Sequence, residues 1–302
     1  MEKVICEPYI GLETGGTNIK CMVASDPYHV ISELNIPTQD PGETTDKVIQ
    51  FIQSGINKYQ ISIKSMGIAS FGPVDLNISS PTYGSITSTP KLAWRNFPLL
   101  KKFKAAFPFP IAFDTDVNAA TFGEARWGAG IGFSDFIYVT IGTGIGGGIV
   151  SNNRLVHGLI HPELGHMFVK HDLLLDPFDG VCPYHKDCLE GLAAGPAIAA
   201  RWGIPPVNLS ADHPAWVLEA QYLAQMAVNL TLVLSPQRII LGGGVSQHAG
   251  LIDLIRQNFK EQVNEYVQSP LYNENLDSYI VAPKLGQNAG IFGAIALAQT
   301  IQ

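Results

Sequence analysis

The chain has little charge, few cysteines and no long apolar run. Only 15% of its 302 residues are charged and 46% are apolar, a composition that excludes a disordered chain and predicts a large buried core. The chain contains only four cysteines. No segment approaches eighteen consecutive apolar residues, so the sequence predicts no membrane-spanning helix.

Positive charge is also scarce. The formal net charge is −7, and the chain contains no block of like charge. Nucleic acid and anionic membranes are therefore not expected as partners, because both are bound through clustered lysine and arginine. The first thirteen residues lack the apolar run of a signal peptide, so we expect a cytoplasmic protein, in which cysteines stay reduced.

Glycine, in contrast, is abundant and concentrated in three segments. Residues 8–24 and 135–156 both have the pattern strand, tight glycine turn, strand, and Asn152-Asn153 adds a hairpin turn to the second. Residues 238–259 form an apolar strand, a glycine turn and then a helical pattern. The repeated pattern predicts an α/β chain with an internal duplication.

The chain is long enough for two domains. A strand end gives way to a helical pattern near residues 117–120, and this change predicts a smaller N-terminal domain at 1–118 and a larger C-terminal domain at 119–289. The last helical pattern, about residues 290–302, is rich in alanine and glycine. We expect this helix to pack tightly and to return to the first domain.

Glycine turns suit phosphate binding, because backbone N–H groups can approach a phosphate where no Cβ intervenes. Gly142-x-Gly144-x-x-Gly147 matches the dinucleotide fingerprint, but it continues into a strand where that fingerprint requires a helix. No Gly-Lys-Ser/Thr follows any of the turns, so the Walker pattern is absent as well. Hairpin geometry alone could explain a single turn and remains the alternative.

A second cluster of interest is the loop "DGVCPYHKDCLEG". Its Cys182, His185 and Cys188 are three residues apart and could supply three metal ligands. A tetrahedral structural zinc needs a fourth ligand, and four upstream histidines could provide it: His157, His161, His166 and His171. A Cys182–Cys188 disulfide or a loop without a ligand are the alternatives.

Two aspartates are candidates for general-base chemistry. Asp114 and Asp116 follow the apolar stretch 111–113 and precede a helical pattern, where open α/β sheets present functional groups. Strand alternation would place both on the same face, so spacing does not separate them. Either could instead cap the helix.

Six motifs occur in one order along the chain: "GLETGGTNIK", "DTDVNAATFGE", "TIGTGIGGGIV", "HPELGH", "CPYHKDCLEG" and "ILGGGVS". In this order they resemble the ROK (repressor, ORF, kinase) family of sugar kinases, and in detail its fructokinase branch. The resemblance extends from about Ile10 to about Ala294. It implies an actin-like ATPase fold, which is a duplicated ribonuclease H-like fold, with two lobes and a central cleft that holds the sugar and Mg-ATP.

The resemblance also implies roles for individual residues. Asp116 would be the catalytic base, since "TDVN" matches the family's Asn-Asp-x-Asn motif. Sugar contacts are implied for Asn118, Glu163, His166 and Glu190. Nucleotide or magnesium contacts are implied for Glu13, Gly15, Gly16, Thr17, Lys20, Gly142, Thr143, Gly144, Pro196, Gly242, Gly243, Gly244, Val245 and Ser246. A structural zinc would be held by His166, Cys182, His185 and Cys188.

This sequence departs from the family pattern at two positions of these motifs. Glu13 stands where many members have aspartate, and its longer carboxylate could still orient Mg²⁺ through water. Thr115 replaces the usual asparagine of the base motif, so that asparagine's sugar contact does not carry over.

The resemblance implies ATP-dependent phosphorylation of a hexose, with D-fructose expected at its 6-hydroxyl. The alternatives are a kinase for mannose or glucose, or one of broad hexose specificity. A sugar-sensing repressor is a more distant alternative, because repressors of this family carry a helix-turn-helix before the first glycine turn and only about ten residues precede it here. A homodimer is also expected from the family.

Overall fold

The computed structural model describes residues 8–301 of the chain. Residues 1–7 of the N-terminal stretch, for which no signal peptide is expected, therefore lie outside the described residues. The described chain divides into two compact units. Unit 1 contains residues 8–131, 157–161 and 288–301, and unit 2 contains residues 132–156 and 162–287.

Unit 1 is built on a mixed sheet. Its described strands are β1 (Tyr9–Thr14), β2 (Asn18–Asp26), β3 (His29–Pro37), β4 (Met66–Ser70) and β5 (Ile111–Thr115). They lie in the order β3-β2-β1-β4-β5, in which β1 to β3 are antiparallel and β1, β4 and β5 are parallel. The three parallel strands end in register, so that Thr14, Ser70 and Thr115 lie side by side at one edge.

Helices cover this sheet. They are α1 (Pro41–Tyr59), α2 (Leu99–Ala106), α3 (Asp116–Trp127) and α10 (Ala289–Ala298). Every residue of α10 is buried, because glycines allow the backbones to approach closely. A Cβ added to Gly293 would overlap the carbonyl oxygen of Ala119 in α3. The expected tight packing of the last helix is therefore present, and this packing is within unit 1.

Unit 2 has a sheet of the same design. Its described strands are β6 (Phe136–Ile141), β7 (Ile145–Ser151), β8 (Arg154–Leu155), β9 (Arg238–Gly242) and β10 (Ile280–Val281). They lie in the order β10-β9-β6-β7-β8, in which β6 to β8 are antiparallel and β6, β9 and β10 are parallel. This is the strand order of unit 1, so the duplication seen in the glycine pattern extends to the whole sheet.

The described helices of unit 2 are α4 (Leu189–Ala193), α5 (Gly195–Trp202), α6 (Ala215–Leu234), α7 (Leu251–Val263), α8 (Pro270–Asn273) and α9 (Leu276–Tyr279). Among the described residues, α6 alone is long and apolar enough to cross a membrane by length and composition. Much of α6 is buried in the core of unit 2, including Trp216, Leu223 and Met226. A buried core helix of a globular protein meets the same criterion, so α6 is weak support for a membrane location.

The boundary between the units differs from the predicted one. Residue 118 falls inside α3, and the structure divides the chain after this helix, between residues 131 and 132. The reason is the packing of α3 against α10, which keeps the whole helix in unit 1. Residues 157–161 also belong to unit 1, although the sequence around them belongs to unit 2.

Candidate functional site

The first glycine turn joins β1 to β2 at the carboxyl end of the parallel strands of unit 1. It is closed by a hydrogen bond from Gly15 N to Asn18 O of 2.9 Å. Thr38 holds the turn from the side, because its N–H donates to Thr17 O at 2.8 Å and its Oγ1 donates to Gly15 O at 2.7 Å. Gly16 and Thr17 are left exposed, so their N–H groups can face a ligand.

Glu13 and Lys20 lie opposite each other across the two strands that carry this turn. Their side chains form an ion pair with 3.8 Å between Lys20 Nζ and Glu13 Oε2. Burial raises the pKa of Glu13, and Lys20 opposes this rise. Glu13 Oε2 is buried and accepts no hydrogen bond from the described residues. An acidic oxygen without a donor can accept one from metal-bound water.

Asp114 is the last residue but one of β5, and both oxygens of its carboxylate have partners. Its Oδ1 accepts from Thr115 N and from Asn118 Nδ2, both at 2.7 Å, and its Oδ2 is 3.0 Å from His157 Nε2. His157 Nε2 must carry a proton to donate to this carboxylate. Asp114 is therefore a buried acceptor that fixes an asparagine and a histidine.

Asp116 is the first residue of α3. Thr115 caps this helix by accepting from Asn118 N at 3.1 Å, and Asp116 Oδ1 accepts from Val117 N at 2.9 Å. The expectation that strand alternation puts Asp114 and Asp116 on one face is wrong, because β5 ends at Thr115 and the alternation stops there. Asp116 is partly exposed, whereas Asp114 is buried.

The second glycine turn, Gly142 to Gly144, joins β6 to β7 in unit 2. Gly142 N donates to Gly144 O, and Gly142 O accepts from Gly195 N at 2.8 Å. Glu190 holds the other side of the turn, because its Oε2 accepts from Ile145 N at 2.9 Å. Thr143 at the tip is exposed.

The third glycine turn lies beside the second. A Cβ at Gly142 would be 4.0 Å from Gly244 N, and Val245 packs against Gly195. Gly243 has φ +91°, and any side chain there would overlap the backbone of Ile141, so this position requires glycine. Ser246 Oγ donates to Gly243 O at 2.9 Å, which closes the turn after Gly242. The residues of unit 2 that are predicted to bind the nucleotide therefore lie in or beside these two turns. They include the exposed Pro196, which follows Gly195 in α5.

The Cys/His loop folds back on the "HPELGH" segment. Four donor atoms lie within 4.8 Å of one another, and they belong to His166, Cys182, His185 and Cys188. The nitrogen–sulfur separations are 3.7 Å (His166–Cys182), 3.5 Å (His166–Cys188) and 3.8 Å (His185–Cys182). Zn–N and Zn–S bonds of about 2.0–2.3 Å in a tetrahedron give edges of about 3.5 Å, so this donor set fits zinc.

Both cysteines of this cluster are free thiols. Burial raises the pKa of the Cys188 thiol to about 11, and the neighbouring Cys182 adds to the rise. A metal that binds the thiolate therefore has to displace a proton. Of the four upstream histidines, His166 is the one that reaches the cluster, and it does so through Nδ1.

Two acidic side chains border the other face of His166. Its Nε2 is 4.0 Å from Glu190 Oε1, and Glu163 is close enough for both groups to affect its ionisation. Partial burial raises the pKa of Glu163, the charge of Glu190 adds to the rise, and His166 opposes it. Glu163, His166 and Glu190 thus form one cluster of hydrogen-bonding groups in unit 2.

The sequence suggested His157 only as a possible fourth zinc ligand, whereas it contacts Asp114, and it gave no signal for Thr38. His157 is 43 positions from Asp114 along the chain, and no local pattern links them. The Glu190 contact with the second glycine turn was also missed, because the motif shows only an acid after a cysteine. These contacts depend on how distant segments fold together.

The comparisons with known proteins agree with the sheet topology and the turns. A profile of the ROK family matches residues 9–301. A fructokinase of Lactococcus lactis subsp. cremoris is 40% identical over 280 residues, which cover 93% of this chain and 92% of that protein. A fructokinase of Pediococcus pentosaceus is 41% identical over 288 residues, which cover 95% of this chain and 96% of that protein.

Among solved structures, a ROK family glucokinase from Streptomyces griseus in complex with glucose and AMPPNP aligns with a TM-score of 0.74 and 27% identity, over 97% of this chain and 99% of that one. The expected fold class, α/β and actin-like, is thereby confirmed. The match covers nearly the whole chain and the curated relatives exceed 30% identity, so this chain belongs to the ROK family.

Proposed function

We propose that this protein is an ATP-dependent hexose kinase whose preferred substrate is D-fructose. The 6-hydroxyl oxygen of the sugar attacks the terminal phosphorus of ATP, a new O–P bond forms, and the bond from that phosphorus to the bridging oxygen breaks. ADP leaves with the bonding electrons, and the hydroxyl proton goes to a base on the protein.

One observation carries the proposal. The carboxyl ends of β1, β4 and β5 meet at one edge, and this edge presents both the first glycine turn and Asp116. A phosphate-binding turn and a carboxylate at the same edge of one sheet are two parts that phosphoryl transfer to a hydroxyl requires.

Asp116 is the base in this proposal. Asp114 suits that role less well, because three donors already use its carboxylate and burial keeps it from solvent. Asp116 begins a helix and remains partly exposed, so a sugar hydroxyl can approach it. Asn118, fixed by Asp114, offers its amide group as a sugar contact.

Glu163, His166 and Glu190 supply further sugar contacts. Carboxylates accept two hydrogen bonds with defined geometry, and the imidazole Nε2 of His166 lies 4.0 Å from Glu190 Oε1 in the same cluster. Vicinal hydroxyls of a hexose match such a set of acceptors.

The nucleotide is bound by the glycine turns, whose exposed tips contain Gly16, Thr17 and Thr143. Pro196 and Gly242 to Ser246 border the second turn. Glu13, with its buried Oε2 lacking a donor, would hold the Mg²⁺ of Mg-ATP through water, and Lys20 keeps this carboxylate in place. The magnesium ion would neutralise charge on the phosphates.

Zinc has a structural role in this proposal. Four protein ligands leave no open position for water, so the ion would brace the sugar site. His166 would bind it through Nδ1, which leaves Nε2 directed at Glu190. The loop would then hold Glu190 and the "HPELGH" segment together.

An assay of ADP release over a panel of hexoses tests the function. We expect the highest kcat/KM for fructose, with mannose and glucose lower. A higher kcat/KM for glucose or mannose rejects the fructose preference, and no ADP release with any hexose rejects the kinase. Sequence-specific DNA binding in a gel shift would instead favour a repressor. The cytoplasmic location and the homodimer remain predictions.

A further inference from the structure

Lys91 lies against the first glycine turn. A Cβ added to Gly16 would be 3.8 Å from Lys91 Cε, so the end of the lysine side chain reaches the exposed tip of the turn. None of the six motifs includes Lys91, and the proposed catalytic and binding residues do not include it either.

The backbone of Lys91 is held firmly in this place. Lys91 N donates to Oγ1 of the buried Thr89 at 3.3 Å, and Lys91 O accepts from Trp94 N at 2.9 Å. Trp94 is 1% exposed and donates from Nε1 to Gln39 O at 2.8 Å. Gln39 directly follows Thr38, which holds the glycine turn, so the turn and the lysine share one anchor.

The negative charges at this edge favour a nearby cation. Glu13, Asp114 and Asp116 bring carboxylates to it, and a nucleotide would add its phosphates. Lys20 is already paired with Glu13. Among residues 8–301, no carboxylate forms an ion pair with Lys91. Its ammonium group is therefore available to an anion at the turn.

The sheet geometry indicates which anion the Lys91 ammonium group would bind. β1 and β5 are separated by one strand, so their ends lie about 10 Å apart. A hydroxyl bound to Asp116 at about 2.7 Å, followed by an approach of about 3–3.5 Å to phosphorus, brings the transferred phosphoryl group close to the turn. In the proposed function the terminal phosphoryl of ATP would therefore lie between Asp116 and the first glycine turn, whose tip the end of the Lys91 side chain reaches.

We propose that Lys91 binds the phosphoryl group that is transferred, and so stabilises the charge that develops on its oxygens. The inference rests on the proposed function and adds a phosphate-binding residue to the same site. Lys91 forms and breaks no covalent bond, because its ammonium group donates hydrogen bonds to the phosphoryl oxygens before, during and after transfer.

Binding of AMPPNP and ADP with Mg²⁺, measured by calorimetry, tests this role. Lys91→Gln should weaken AMPPNP binding by about 10- to 100-fold, the usual loss for a charge-assisted hydrogen bond, and leave ADP binding within about 2-fold. Its kcat should fall by a similar factor with KM for fructose unchanged. Lys91→Arg should recover part of both losses, and the exposed Lys101→Gln is the matched control.

The outcomes separate this inference from the proposed function. Equal weakening of ADP and AMPPNP, or no change in either, with an unchanged Tm, overturns the role of Lys91 even if the wild type phosphorylates fructose. A wild type that binds AMPPNP but phosphorylates no hexose overturns the kinase, and a selective loss of AMPPNP binding in Lys91→Gln then still supports the phosphoryl contact. A wild type that binds no AMPPNP overturns both.

Discussion

The first and second glycine turns occupy the same position in two sheets of the same strand order, yet different side chains hold them. The first turn is held by Thr38 and faces the charged side chains of Glu13, Lys20 and Lys91. The second is held by Glu190, whose carboxylate also faces His166 of the Cys/His cluster.

The difference shows how a duplicated scaffold can divide its tasks. Unit 1 combines its turn with the carboxylates at the end of β5, which suits phosphoryl and proton transfer. Unit 2 combines its turn with the cluster of Glu163, His166 and Glu190, for which we propose sugar binding, and with the Cys/His loop. If this division is right, substitutions at the carboxylates of unit 1 should act on kcat, and substitutions in the acid and metal clusters of unit 2 should act on sugar affinity and metal content.

The largest expected effect is on the base. Asp116→Asn keeps the size of the side chain but cannot accept the hydroxyl proton, so kcat should fall by about 10²–10⁴. KM for ATP should change little. The ADP-release assay measures both, and Asp114→Asn is the matched control, with a smaller loss of kcat and a lower Tm. Near-wild-type turnover of Asp116→Asn together with an inactive Asp114→Asn would make Asp114 the base.

Loss of a metal ligand should have the next largest effect. The purified wild type should contain on the order of one zinc per chain, and Cys182→Ser should contain little. KM for fructose should rise about 10-fold or more, because the loop that positions Glu190 loses its brace. Elemental analysis measures the metal. Cys21→Ala, which changes a buried thiol in unit 1, should keep its zinc, and a zinc-free wild type prepared without chelators would contradict the site.

A pair of glycine substitutions tests how unit 1 supports its sheet edge. Gly293→Ala should lower the free energy of unfolding by about 1–3 kcal/mol, because the new methyl group meets the backbone of α3. Gly55→Ala in α1 meets only Ser32 Oγ at 3.8 Å and should raise it by about 0.5–1 kcal/mol. Urea unfolding measures both, and equal effects would show that α10 is not closely packed.

The smallest effect is expected at Glu190. Glu190→Gln can still accept from Ile145 N but loses its charge, so KM for fructose should rise about 5-fold with little change for ATP. Glu190→Ala removes the acceptor as well, so KM for ATP should rise too. If Glu190→Ala affects only fructose, the second turn does not depend on this carboxylate.

Local sequence patterns predicted the secondary structure correctly where interactions between neighbouring residues determine it. The sequence predicted both strand–turn–strand units, the hairpin at Asn152-Asn153, the strand at 238–242 followed by a helix, and the buried C-terminal helix. It could do so because side-chain periodicity and glycine turns act over a few residues. The prediction that Asp114 and Asp116 share one face of a strand was wrong, because β5 ends at Thr115, one residue before Asp116.

By itself, the sequence determined the duplicated α/β scaffold, the three glycine turns and the residues that supply acids, thiols and imidazoles. Only the tertiary structure decided which of these meet: that Nδ1 of His166 faces the two thiols while Nε2 faces Glu190, that His157 binds Asp114, and that Lys91 reaches Gly16. The physical reason is the range of the interactions. Turns and strands follow from neighbours in the chain, whereas these contacts join segments 16 to 75 positions apart and form only when the chain has folded and brought those segments together.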